Sequence, residues 1–164
     1  MRQLTPARRH ARGLTLIELM ATLAIGAILM GMAAPYLRDY LVNTRLREAG
    51  NALLAETLYA QAEALKRNAS TRLAIDGSAI EVRDMSVGDG GTVLRTRQLS
   101  DGVAASEAAQ ISFGSRGTPL PFGTAVAIDL VKSGVTCSAD QRCPGLRVDG
   151  GGGVRLCGNQ LDCP

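Results

Sequence analysis

Few side chains in this 164-residue sequence are equipped for chemistry, and those few are poorly spaced for catalysis. The single histidine, His10, stands in an arginine-rich leader, and with that leader removed no Ser/His or Cys/His pair remains. The run Gly150–Gly153 lacks the spaced glycines and the Lys-Ser/Thr ending of a phosphate-binding loop, and reads as a turn between strands. Four cysteines, Cys137, Cys143, Cys157 and Cys163, crowd into the last 28 residues. Each neighbouring pair encloses five residues, unlike the usual close zinc spacings, so neither metal nor other cofactor is expected. In an exported domain an even cysteine count favours two disulfides; three pairings are open, and Cys137–Cys143 with Cys157–Cys163 is the expectation. These residues describe a protein that is not an enzyme.

The most informative side chain is an acid out of place. From Leu14 to Ala34 the only residues neither apolar nor glycine are Thr15, Glu18 and Thr22. As a helix this run is about 31 Å long, close to the hydrocarbon thickness of a bilayer. A carboxylate inside such a run costs several kcal/mol unless it is paired or reaches polar groups.

Charge is distributed to match. Arg2, Arg8, Arg9 and Arg12 give the leader 1–13 a charge of +4 with no acid, whereas residues 36–164 carry 14 cations against 14 anions. The basic end should stay cytoplasmic and the neutral remainder should lie outside. A neutral domain exerts no bulk pull on nucleic acid or anionic lipid. Three readings fit this arrangement: a secretory signal cut after Ala33 or Ala34, an uncut signal anchor that tolerates Glu18, or a leader cut on the cytoplasmic side after Gly13. The last retains the apolar helix and makes Glu18 the fifth residue of the mature chain.

Arg12-Gly13 followed by Leu14-Thr15-Leu16-Ile17-Glu18-Leu19 closely resembles the prepilin cleavage motif of type IV pilins and type II secretion pseudopilins. The resemblance implies that a membrane prepilin peptidase cuts between Gly13 and Leu14 and N-methylates Leu14, where the family usually has Phe. It further implies that Glu18 pairs with the terminal amine of a neighbouring subunit during filament assembly, setting axial register. The finer resemblance is to GspH/FimT minor pilins and pseudopilins. It rests on Ala60-Gln61-Ala62-Glu63-Ala64-Leu65-Lys66-Arg67, on Ile111-Ser112-Phe113 with Gly117, and on Gly152-Gly153-Val154-Arg155-Leu156-Cys157. The middle-strand tryptophan common in that family is missing.

The elements that must position these residues follow from periodicity. Residues 14–35 form the transmembrane, filament-core half of a helix, and Pro35 is expected to kink it. Residues 36–68 form its amphipathic half, with a stripe of Val42, Leu46, Ala49, Leu53, Ala60 and Ala64. Arg45, Arg47, Glu48, Glu56, Glu63, Lys66 and Arg67 lie mostly off that stripe, and Gly50 is a weak point within it. Tyr36 and Tyr40 suit a membrane interface, an intersubunit seam or plain surface. Residues 69–164 read as a β-rich periplasmic domain with a cysteine-stapled end. Its expected strands are Arg72–Ile75, Ala79–Arg83, Thr92–Gln98, Gln110–Gly114, Thr124–Val131, Leu146–Asp149 and Val154–Cys157, with Asp101–Ala109 as a loop or one helical turn. One helix followed only by strands implies an α+β fold, an antiparallel sheet packed on a long N-terminal helix.

The function implied by the resemblance is that of an inner-membrane, single-pass minor pilin. It would prime or cap a type IV pilus, with other minor and major pilins as partners. The alternative is the GspH-like minor pseudopilin at the tip of the periplasmic type II secretion pseudopilus. A third reading is DNA binding in natural transformation. Some FimT-type pilins use a C-terminal Gly-Arg-x-Arg pattern, here Gly152-Gly153-Val154-Arg155 with the first arginine missing. Arg142 and Arg147 are the nearest substitutes, and Phe113 and Phe122 are the only phenylalanines available for stacking.

Overall fold

The computed structural model describes residues 15–88 and 90–163. The chain forms two compact units that divide between Arg38 and Asp39. The 52-residue helix α1, Leu16–Arg67, contributes to both. In the first unit the segment Leu16–Ala34 is long and apolar enough to cross a membrane. Among the described residues its side chains are exposed.

Among the described residues, the second unit sets the rest of α1 against nine strands. These are β1 Thr71–Asp76, β2 Ala79–Asp84, β3 Thr92–Gln98, β4 Val103–Ala105, β5 Ala109–Phe113, β6 Pro119–Leu120, β7 Val126–Lys132, β8 Gly145–Val148 and β9 Val154–Cys157. They make two antiparallel sheets rather than the one expected, in the orders β3-β2-β1-β5-β6 and β4-β7-β8-β9. The stretch Asp101–Ala109, read as a loop or helical turn, contains β4. Three residues are too few to show an alternating pattern, and β4 exists because Val103–Ala105 pair with Lys132–Leu130 of β7. The short β6 was missed for the same reason; its two residues pair back onto β5.

One core serves both sheets. Leu46, Ala49, Leu53, Ala60 and Ala64 of α1 are fully buried, as the stripe requires, with Val42 packed at its margin. They meet Leu73, Ile75, Ile80, Val82, Ile111 and Phe113 from the five-stranded sheet and Ile128, Leu130, Leu146 and Val148 from the other. Alternating burial along β1 and β2 puts those residues inward, the period-two signature of a half-buried sheet.

Two acids expected off the stripe are buried in it. Glu56 is only 2% exposed and Glu63 7%. Steps of three and four residues from Leu53 carry both onto the same helix face as the stripe. Glu56 is met by Arg95 at 3.6 Å and Arg97 at 3.4 Å, reaching over from β3, while Arg95 also lies 3.9 Å from the centre of the Tyr59 ring. Glu63 is met by Arg67 at 2.6 Å and Lys66 at 3.2 Å, and Arg67 continues to Asp84 at 3.2 Å, at the end of β2. The hydrogen bonds from Arg67, then Lys66, hold the Glu63 carboxyl below its ordinary pKa. Those from Ser86 first, with Arg67 adding, do the same for Asp84.

Two close approaches decide how the helix and the sheets fit. Gly50 is where Pro144 crosses α1: a Cβ there would stand 2.9 Å from Pro144 Cβ and 3.3 Å from Leu156 Cδ1. The supposed weak point is a packing requirement. Nearly two turns before the helix end, Gln61 Nε2 donates to Gly117 O at 2.7 Å and to Gly152 O at 2.8 Å. The first carbonyl belongs to the β5–β6 turn and the second to the β8–β9 turn, so a single amide ties both sheets to α1. Gly152, at φ +94°, would place a Cβ 2.7 Å from Gly117 O, leaving room only for glycine.

Candidate assembly site

The first turn of α1 shows how an acid comes to stand at the head of an apolar helix. Thr15 caps it: its Oγ1 accepts from Glu18 N at 3.3 Å, and its carbonyl accepts from Leu19 N at 3.1 Å. Thr15 and Glu18 thus stand at the cap and third helical positions of a capping-box pattern. A carboxylate in the first turn also opposes the positive end of the helix dipole. This local reason was legible in the sequence as Thr-x-x-Glu. The Glu18 side chain is exposed, as are Leu16, Ile17, Leu19 and Met20 around it. The described residues of the first unit therefore present an exposed apolar helix surface bearing one carboxylate. Gly13 and Leu14 lie outside the described residues. Beyond the span, α1 stays helical through Pro35, and Tyr36 and Tyr40 are both exposed.

At the other end of the chain the cysteines pair as Cys137–Cys143 and Cys157–Cys163, with Cα–Cα distances of 5.5 and 5.6 Å. The two staples are fastened to each other: Asn159 Nδ2 donates to Ser138 O at 3.2 Å, and Gln160 N donates to Cys143 O at 2.6 Å. Asn159 also caps the short 3-10 turn Gln160–Asp162 inside the second loop.

The three arginines considered for nucleic acid do not form one cluster. Buried Leu146 and Val148 flank Arg147 on β8, so Arg147 points to the outer face of its sheet, where its Cα partner on β9 is Arg155. Arg147 Nη1 is held by Asp129 Oδ1 at 2.6 Å, which cancels its charge locally. Arg142 instead lines a groove against α1. Phe113 is fully buried and cannot stack on a base, while Phe122 is 73% exposed.

Residues 8–34 match the prokaryotic N-terminal methylation motif. Residues 49–152, more than half of the chain, match the family described as type II transport protein GspH. The chain belongs to the GspH family. A search among characterised proteins returns no sequence match. Among solved structures, the fold is similar to the type IV minor pilin FimU of Pseudomonas aeruginosa, with TM-score 0.57 and 18% identity over 69% of this chain and 88% of that one. A second crystal form of FimU gives TM-score 0.55 and 19% identity, covering 67% and 90%. The minor pseudopilin EPSH from the type II secretion system of Vibrio cholerae gives TM-score 0.57 and 13% identity, covering 72% and 96%. At these identities the likeness is one of fold. The GspH match begins at Ala49, on the inner stripe of α1, and ends at Gly152, one of the two glycines gripped by Gln61.

Proposed function

We propose that this chain is a minor pilin of a type IV pilus, which acts by assembly and helps to prime or cap the filament. The observation that carries the reading is the uncovered apolar helix with one carboxylate in its first turn, lying within a methylation motif and leading into a GspH-family domain. In this reading prepilin peptidase cuts between Gly13 and Leu14, methylates Leu14, and leaves the helix anchored in the inner membrane with the sheet domain in the periplasm. Glu18 then pairs with the amine of a neighbouring pilin, and a helix out of register leaves that acid unpaired in an apolar environment. Pro35, which removes one backbone donor from α1, supports a loosened segment at the end of the span.

The test is Glu18→Ala. The variant should be cleaved, methylated and retained in the membrane in wild-type amounts, yet be depleted from sheared filaments. Wild-type incorporation of this variant ends the pairing role. A pseudopilin of type II secretion is the second reading, supported by the fold likeness to EPSH at the same TM-score of 0.57. Deleting the pilus assembly machinery or the secretion machinery separately distinguishes the two by which deletion strands the protein in the membrane.

A further inference from the structure

The periplasmic unit carries a groove that the filament reading does not use. It is about 470 Å³ in volume and runs between α1 and the two disulfide loops. Tyr40, Asn43 and Arg47 line it from the helix, and Arg142, Pro144 and Leu156 line it from the opposite wall. The construction is specific to the stapled fold: Arg142 lies inside the Cys137–Cys143 loop, and Asn43 Nδ2 holds that loop to α1 by donating to Asp140 O at 3.2 Å. The backbone of the loop also steers Arg142, whose Nε donates to Ala139 O at 3.4 Å.

Two arginines therefore line one concavity. Among the described residues neither has an ion-pair partner, and Arg47 has no hydrogen bond from its side chain. Guanidinium groups bind carboxylates through paired, directional hydrogen bonds, and are less strongly hydrated than ammonium groups when such a bond forms. The surroundings narrow the anion. Asp140 lines the same groove, and Asp39 accepts from Gln141, the neighbour of Asp140 and Arg142, at 3.4 Å. Those acids repel a polyanion such as nucleic acid or an anionic bilayer, which would bring many charges to the rim at once. One carboxylate on a slender chain can reach the arginines while Pro144, Leu156 and the Tyr40 ring receive its apolar neighbours.

We propose that this groove docks an acidic polypeptide segment of a neighbouring subunit through a single carboxylate held by Arg47 and Arg142. Naming a subunit as the bearer rests on the filament reading, but the binding chemistry does not. The experiment uses the full chain in detergent with both disulfides closed. The probe is a blocked fluorescent hexapeptide of alanine and glycine with one central glutamate, compared with its glutamine twin. The glutamate probe should bind saturably, and the twin, Arg47→Gln and Arg142→Gln should each weaken binding by about tenfold, equivalent to about 1.4 kcal/mol. Arg47→Lys should restore part of it, and Arg116→Gln, outside the groove, should leave it unchanged. Equal binding of the two peptides, no binding, or an unaffected Arg142→Gln variant with unaltered melting overturns the proposal. So does tighter binding of inorganic phosphate or of phosphatidylglycerol vesicles than of the glutamate probe. Failure here leaves Glu18-dependent assembly standing, and failure of that assembly leaves the peptide measurement standing.

Discussion

Replacing Gly50 with alanine sets two physical effects of opposite sign against each other. On helix propensity alone, glycine to alanine inside a helix stabilises by about 1 kcal/mol. The tertiary contact opposes this. The new methyl would stand 2.9 Å from Pro144 Cβ and 3.0 Å from its Cγ, closer than real carbon pairs come, and 3.3 Å from Leu156 Cδ1. A proline ring cannot rotate away. Pro144 is also buried, adjoins a disulfide cysteine, and accepts from Leu130 N at 3.0 Å, so its backbone is pinned as well. Forcing a methylene-sized group into such a site costs about 1–3 kcal/mol. The net expectation for Gly50→Ala is a loss of about 1 kcal/mol, or about 3–6 °C in melting temperature for a domain of this size. Urea denaturation of the full chain in detergent, followed by far-ultraviolet circular dichroism, measures it. Pro144→Gly removes both clashing atoms, so Gly50→Ala in that background should stabilise by about 1 kcal/mol, giving a coupling of about 2 kcal/mol between the sites. If Gly50→Ala stabilises the wild-type chain as much as the Pro144→Gly chain, the close approach does not govern this position and the reasoning fails.

Three further outcomes follow from the same structure. Gln61→Ala leaves the Gly117 and Gly152 carbonyls without their shared donor and should lower stability by about 1–3 kcal/mol, with faster amide exchange in both turns and little change in β2. Glu63 and Asp84 have pKa values depressed in the fold, so the folded state binds fewer protons than the unfolded chain through the acid range. Their contribution is complete above the ordinary carboxylate pKa of about 4 and is lost as pH falls through the depressed values. The urea midpoint should therefore drop on acidification, and Glu63→Gln should flatten that drop; an unchanged slope would count against the Glu63–Arg67 pair. Each disulfide closes a loop with a sequence separation of 6, for which the chain-entropy model gives about 2 kcal/mol. Paired Cys→Ser replacement at either site should lower the denaturation free energy by that amount, without altering membrane anchoring.

The legibility of this protein varied with the range of the interactions involved. The span Leu16–Ala34 and the helix end at Arg67 could be read from composition and period, because membrane crossing and amphipathicity are properties of a local run. Strands β1, β2, β3 and β9 could be read from alternation and turn residues within a few positions of their observed bounds. Strand β4 could not, since its only claim to extended structure is pairing with residues about 30 positions away. Glu56 was misread for a related reason: its charge argued for the surface, while Arg95 and Arg97, which permit its burial, arrive from a different element.

The sequence by itself determined that the chain has a basic N-terminal stretch, an apolar helix headed by Thr15 and Glu18, and a neutral β-rich domain with four cysteines near its end. Each of these follows from side-chain chemistry along a short stretch. Only the tertiary structure decided that there are two sheets on one core, that Gly50 is a contact with Pro144, and that Gln61 joins the two turns. It alone separated Arg142 from Arg147 and set it across a groove from Arg47. Those facts depend on pairs of residues from tens of positions to about 100 apart, whose meeting is fixed by the shared burial of the α1 stripe and both inner sheet faces.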